Sequence, residues 1–176
     1  MSAGGPVTAI CPGTYDPVTN GHLDIIRRAA AIFDRVVVAV VREPPHKSPM
    51  FSVGERVAFL REALAGQSNV EVEEFGELVV AFARRFNART MVKGLRAISD
   101  FEWEFQMHHL NRTIAPEIET MYLIADSHYS FVSSSSVKEI ASFGGNVDSL
   151  VPEPVARRFR EMFPQPKPGA PVSPQE

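Results

Sequence analysis

The chain has 176 residues, 44% of them apolar and 22% charged, and its net charge is −3 with no long run of one sign. That is the composition of one soluble globular domain, long enough to bury its own core, and it argues against a general nucleic-acid or membrane-surface binder while allowing a local basic pocket. A single cysteine, Cys11, leaves no disulfide framework and no thiolate zinc site.

The opening residues MSAGGPVTAICPG do not read as a signal peptide, and no apolar run approaches the ~18 residues of a membrane span. With a lone cysteine, the expected compartment is reducing and cytoplasmic. Val7–Cys11 reads as a strand, and 20–33 as a helix with Leu23, Ile25, Ile26, Ala30 and Phe33 on one face. The unbroken β-branched run Val36–Val41 fits a parallel strand buried on both faces better than an alternating surface strand. A helix over 52–64 follows, with Ser52 and Glu55 spaced as a capping box and Val53, Val57, Leu60 and Leu64 as its stripe.

Next come a strand at Val70–Phe75, a helix over 78–86 and a short strand at 90–92 before Gly94. A long helix is expected over 99–114, a strand over 118–125, and shorter helices over 134–143 and 154–163. Five strands alternating with helices specify a doubly wound, Rossmann-like α/β fold: a five-stranded parallel sheet flanked by helices, in a single domain over 1–163. Residues 164–176, with proline at 164, 166, 168, 171 and 174, read as a disordered tail.

Ligands of such a sheet bind beyond the carboxyl ends of its strands, near the point where strand order reverses. The unusual residues fall in those loops: CPGTYDPVTNGH, REPPHKSPMF, KGLRAISDFEWE and DSHYSFVSSSSVKE. Neither G-x-G-x-x-G nor a P-loop motif is present, yet the first loop feeds a helix N-terminus, which favours phosphate. Gly21 would let a ligand approach the backbone, and His22 stands in the first turn, either turned to that ligand or packed at the helix start. Lys47, Lys93 and Arg96 are each ordinary surface cations alone; together on the ligand side of one sheet they suggest an anion site. Ser133–Ser136 open a helix, and four serines exceed what one N-cap requires.

Taken together, TNGH, KGLR and SFVSSS make the chain resemble the nucleotidyltransferases of the HxGH superfamily, and within them the bacterial phosphopantetheine adenylyltransferases. The resemblance runs from about Val7 to Phe163, through PGTYDPVTNGHLDII, ERV, KGLRAISDFEWE and YSFVSSSSVKE in order. It implies transfer of adenylyl from ATP to 4′-phosphopantetheine, giving dephospho-coenzyme A and pyrophosphate, with magnesium, in a homohexamer subject to coenzyme A feedback. By the same resemblance Thr14 contacts the reacting phosphates and His22 the α-phosphoryl oxygens, while Lys47 holds the phosphate of phosphopantetheine, with Lys93 beside it. The catalytic set is His22, Thr14, Lys47 and Arg96. Gly94, Leu95 and Arg96 sit on the nucleotide, and Tyr15, Glu104, Tyr129, Ser130, Phe131, Val132, Ser133, Ser134 and Ser135 complete the ATP site. Val79 falls where the pantetheine arm is bound.

Three positions depart from the pattern: Lys93 where many relatives carry arginine, Trp103 for a tyrosine, and Cys11 for an aromatic residue. None removes a charge the reaction needs, although a lysine lacks the bidentate fork of an arginine. Asp16 and Asp126 could be metal ligands, but Asp16 beside Pro17 more readily fixes its turn through the backbone. His46, His108, His109 and His128 show no ligand spacing, so no metal site built by the protein is expected. The alternatives are a sibling transferase acting on a mononucleotide or on glycerol phosphate, and a catalytically silent nucleotide sensor. The KGLRAISDFEWE block argues against the first, and the lysine pair Lys47 and Lys93 against the second.

Overall fold

The computed structural model describes residues 5–45 and 48–164. Strands and helices alternate as β1 (Thr8–Gly13), α1 (Asn20–Ala30), β2 (Arg35–Val41), α2 (Val53–Ala63), β3 (Val70–Phe75), α3 (Val79–Arg85), β4 (Thr90–Leu95), α4 (Ile98–Ile114), β5 (Glu119–Ile124), α5 (Ser134–Ser142) and α6 (Glu153–Met162). The strands form one parallel sheet in the order β3-β2-β1-β4-β5, the doubly wound arrangement expected. Residues 165–176 of the expected tail, and Lys47 among the expected site residues, lie outside the described residues.

The sheet is covered on both faces, which is why the second strand reads as a continuous apolar run. Ala9, Cys11, Val36, Val38, Val40 and Val92 pack into the larger core with α1, α2, α5 and α6. Their neighbours Ile10, Val37, Ala39 and Met91 point the other way, into a smaller core with Val80, Phe82 and Ala83 of α3. Element boundaries fall within a few residues of expectation. The first helix stops at Ala30 because Ile32 and Phe33 both donate to Ala29 O in a closing turn. The fourth strand continues through Gly94 to Leu95 by pairing with β5. Ser52 and Glu55 form the capping box read from their spacing.

Two features position the functional site. The first is a split in the sheet: β1 and β2 pair along the whole of β1, but β1 and β4 pair only at Ala9–Thr90 and Ile10–Met91. Beyond these pairs the carboxyl ends of β1 and β4 part, at the reversal of strand order. The second is α4, which has no buried residue although it carries Phe101, Trp103, Phe105, Leu110 and Ile114. It is therefore not a core helix of a monomer. Among the described residues, no helix is long and apolar enough to cross a membrane.

Candidate active site

The split opens into a cleft with two connected lobes. The inner lobe, about 160 Å³, lies between Cys11, Pro12 and Gly13 of β1 and Val92, Lys93 and Gly94 of β4, with Tyr129 and Val132 at its side. The outer lobe, about 630 Å³, is walled by Thr14, Ser48, Asp100, Trp103 and Ser133–Ser135. Tyr15, His22, Gly94, Arg96 and Glu104 line both. The inner lobe sets Pro12, Ile25, Ile26, Val92 and Val132 beside Lys93, Arg96, Glu104 and His22, so it can take a ligand with both apolar and charged parts.

His22 is held by its own helix. Thr19 is the N-cap of α1, and its Oγ1 accepts from the His22 N–H at 3.4 Å. In return the Thr19 N–H donates to His22 Nδ1 at 3.0 Å, so histidine takes the place that Glu or Gln holds in the usual capping box. A backbone N–H can only donate. Nδ1 is therefore the acceptor, and the neutral ring carries its proton on Nε2. The Tyr15 ring and the imidazole meet in a T-shaped contact, with centroids 5.2 Å apart at 73°. Tyr15 is itself fixed by its hydroxyl, which donates to Cys11 O at 2.8 Å, and burial pushes that phenol well above its ordinary pKa.

The cations of the cleft are paired with carboxylates. Lys93 Nζ lies 2.7 Å from Glu104 Oε2, with both side chains about four-fifths buried (22% and 19% exposed). The Arg96 N–H and Nε–H both donate to Asp100 Oδ2 at 3.0 Å, and another guanidinium N–H reaches Asp100 Oδ1 at 3.0 Å. Arg96 also donates to Val132 O at 3.1 Å, which ties the end of β4 to the loop before α5. Burial raises the Asp100 carboxyl, but its bonds to Arg96 and the Arg96 charge outweigh burial and hold it below the ordinary range. Lys138 pairs with Asp16, whose carboxylate also accepts from Met50 N at 3.0 Å and Phe51 N at 2.9 Å.

The serine run divides its work. Ser133 caps α5 by accepting from Ser136 N at 3.0 Å, and Ser134 donates to Pro17 O at 2.8 Å. Ser135 stays exposed at the mouth of the outer lobe. Of the expected site residues, Thr14, Tyr15, His22, Lys93, Gly94, Arg96, Glu104, Tyr129, Val132 and Ser133–Ser135 all line one lobe or both. Leu95, Ser130, Phe131 and Val79 line neither. Leu95 accepts the Ala125 N–H, Ser130 donates to Ser127 O, Phe131 stands in solvent, and Val79 opens α3 against the smaller core.

The reading of one residue changes. Asp16 bonds the backbone as expected, but that of Met50 and Phe51 in a distant loop, not its own turn. Gly21 lines the inner lobe, and a methyl placed there would lie 3.1 Å from Tyr129 Cβ. Gly94 is the position where backbone must come close, since a side chain would meet Ile25 of α1 at 2.9 Å. Sequence reading gave no role to Asp100 or to the buried Arg56. The i,i+4 spacing of Asp100 from Arg96 at a helix start is the signal that could have found the first.

Among the described residues there is no cluster of three or more His, Cys, Asp or Glu able to hold a metal ion. The cleft carboxylates Asp16, Asp100 and Glu104 are each engaged with a cation. These residues do not fit a resident metal centre.

A cytidylyltransferase-like family model matches residues 10–140. The chain is 51% identical over 144 residues to a phosphopantetheine adenylyltransferase of Alkaliphilus metalliredigens, covering 82% of this chain and 91% of that one. It is 53% identical over 155 residues to one of Gloeobacter violaceus, covering 88% and 96%. A candidate nicotinate-nucleotide adenylyltransferase from Vibrio parahaemolyticus, of known crystal structure, superimposes with a TM-score of 0.64 over 86% of this chain and 97% of that one. At 17% identity that likeness speaks for the fold alone.

Proposed function

The chain belongs to the phosphopantetheine adenylyltransferase family, and on that premise we propose how its cleft joins ATP to 4′-phosphopantetheine, a step of coenzyme A biosynthesis that gives dephospho-coenzyme A and pyrophosphate. The observation that carries the reading is the hydrogen bond from the Thr19 N–H to His22 Nδ1, on a residue that lines both lobes: with Nδ1 accepting, the neutral ring has its proton on Nε2.

The nucleophile is a phosphate monoester with a second pKa of about 6, so it is already largely dianionic at neutral pH and a general base has little to remove. The barrier is electrostatic, because an anion must attack an anion. An oxygen of 4′-phosphopantetheine forms a bond to the α-phosphorus of ATP, and the bond from that phosphorus to the bridging oxygen of pyrophosphate breaks. Catalysis then consists of alignment and of donors placed where charge grows on the α-phosphoryl oxygens. His22 Nε2–H, the Thr14 hydroxyl and Arg96 are the donors assigned here. Lys93 and Lys47 receive the phosphate of the acceptor, and Ser135 with the N-terminus of α5 takes phosphate oxygens. Tyr129 to Ser135 close over the nucleotide and Val79 lies along the pantetheine arm.

Magnesium enters in this reading as the companion of the triphosphate, part of the substrate rather than a centre of the protein. The working form is a homohexamer in the cytoplasm, inhibited by coenzyme A. An apolar row as large as that of α4, left open on one chain, supports an interface between copies. The test is pyrophosphate release with ATP against a panel of phosphate acceptors. Turnover is expected with 4′-phosphopantetheine and not with nicotinamide mononucleotide; robust use of the mononucleotide alone would overturn the assignment.

A further inference from the structure

Arg56 heads the fully buried side chains by size, at 1% exposure. A guanidinium out of water is costly unless its donors are all used. Four of the five N–H donors of Arg56 go to the main chain: Nε–H to Phe51 O at 3.1 Å, one terminal nitrogen to Thr14 O at 2.8 Å and Val41 O at 2.9 Å, the other to Arg42 O at 2.9 Å. Three segments therefore hang on one side chain: the loop leaving β1, which walls the cleft at Thr14, the end of β2, and the turn into α2. Burial lowers the pKa of the guanidinium, and the charges of Asp16 and Glu74 raise it.

The contact with Thr14 has a chemical consequence. Tyr15 adopts φ 52°, a left-handed backbone that is costly for an aromatic residue and that surrounding structure must enforce. Across a trans peptide, C=O and N–H point in opposite directions. Holding Thr14 O against Arg56 therefore turns the Tyr15 N–H away from Arg56 and sets the direction in which Thr14 leaves the strand. We infer that Arg56 is a positioning residue for the reaction: it fixes the Thr14–Tyr15 peptide plane and, through it, the place of Thr14 and its hydroxyl at the mouth of the cleft. The inference rests on the assignment of Thr14 to the reacting phosphates.

Wild-type turnover of ATP and 4′-phosphopantetheine is measured first and tests the functional reading by itself. Thr14→Ala, Arg56→Lys, Arg56→Gln and the Thr14→Ala/Arg56→Lys double variant are then compared, with activity normalised to the folded fraction by circular dichroism at 10 and 25 °C. Lysine keeps the charge, but its donors radiate from one point and cannot span carbonyls in three segments as a planar fork does. Each Arg56 variant is expected to fold, to lose about 10- to 100-fold in kcat, and to keep KM for ATP within about threefold, as misplacement of a reacting group does. Because Arg56 acts through Thr14, the double variant is expected within about twofold of Thr14→Ala alone. Normal kcat per folded molecule in the Arg56 variants would overturn the proposal, as would losses that multiply in the double variant. So would normal turnover by Thr14→Ala, or failure of both Arg56 variants to fold at 10 °C, which would leave Arg56 a residue of the fold alone.

Discussion

Thr19 and His22 meet in three polar contacts: the Thr19 N–H donates to His22 Nδ1 at 3.0 Å, the His22 N–H donates to Thr19 Oγ1 at 3.4 Å, and Thr19 Oγ1 itself lies 3.0 Å from Nδ1. The helix cap thus selects the tautomer that can donate to phosphate. His22→Ala is expected to lower kcat by about 10²–10³-fold with ATP binding little changed, the usual loss of one preorganised donor. The acidic limb of the pH–rate profile is expected to persist in the variant, because it belongs to the phosphate of the substrate. Disappearance of that limb would identify His22 as a general base instead.

Thr19→Val keeps the shape and the backbone donor but removes Oγ1. It is expected to lower stability by about 1 kcal/mol, the ordinary cost of a lost N-cap, with kcat reduced no more than a few-fold. Chemical denaturation beside steady-state kinetics measures both. A loss of activity as large as that of His22→Ala would show that the hydroxyl, and not the backbone N–H, sets the ring.

Stability is expected to fall steeply in acid. The hydrogen bond from Arg35 holds the Glu71 carboxyl low, and at Glu55 and Asp100 burial is outweighed by the cap and by arginine partners. A carboxyl whose folded pKa is depressed contributes its full stability above the unfolded value and loses it as pH falls through the folded one. The melting temperature should therefore drop increasingly below about pH 4, the ordinary carboxylate range. A melting temperature unchanged between pH 7 and pH 3 would contradict these pairings.

Burial pushes the Cys11 thiol up to about 12. Native protein at pH 8 is expected to resist iodoacetamide for hours and to be alkylated at one site on unfolding, as read by intact mass. Rapid native labelling would mean that the end of β1 opens.

The apolar row of α4 predicts assembly. Native mass by light scattering should be a multiple of the 19.4 kDa chain, with six copies expected, and Leu110→Glu should shift it downward while leaving the secondary structure intact. A monomeric wild-type protein at micromolar concentration would remove the hexamer from the reading.

The fold was legible wherever the signal is local. Val36–Val41 announces a doubly covered strand, Ser52 and Glu55 announce a helix start, and both stand where their pattern places them. Thr19 and His22 have the same three-residue spacing, but histidine is an uncommon closing member of a capping box, so the link is plain only in three dimensions. Partners distant in the chain leave no local trace. Nothing around Asp16 points to the amides of Met50 and Phe51, and nothing in a helical stripe tells a buried arginine from the solvated ones beside it. The strand-end loops could be named from topology, since the reversal of strand order fixes where they converge; which of their cations pair with which carboxylates could not.

If Lys93 and Arg96 receive phosphates as proposed, those pairings set how the protein chooses among the anions of a cell. A phosphate arriving at Lys93 or Arg96 must dislodge Glu104 or Asp100, and it gains only the difference between the two partners. Inorganic phosphate or sulfate, with one contact to offer, gains little by the exchange, whereas a ligand engaging several of these cations at once repeats the gain along its length. In the proposed reading the same carboxylates stand ready when the chemistry ends: as one product leaves Arg96 and the other leaves Lys93, Asp100 and Glu104 are tethered replacements within reach, so departure does not leave bare charge behind. An acid residue beside a phosphate site, which looks at first like repulsion, thus works as a counterweight that keeps the product from lingering.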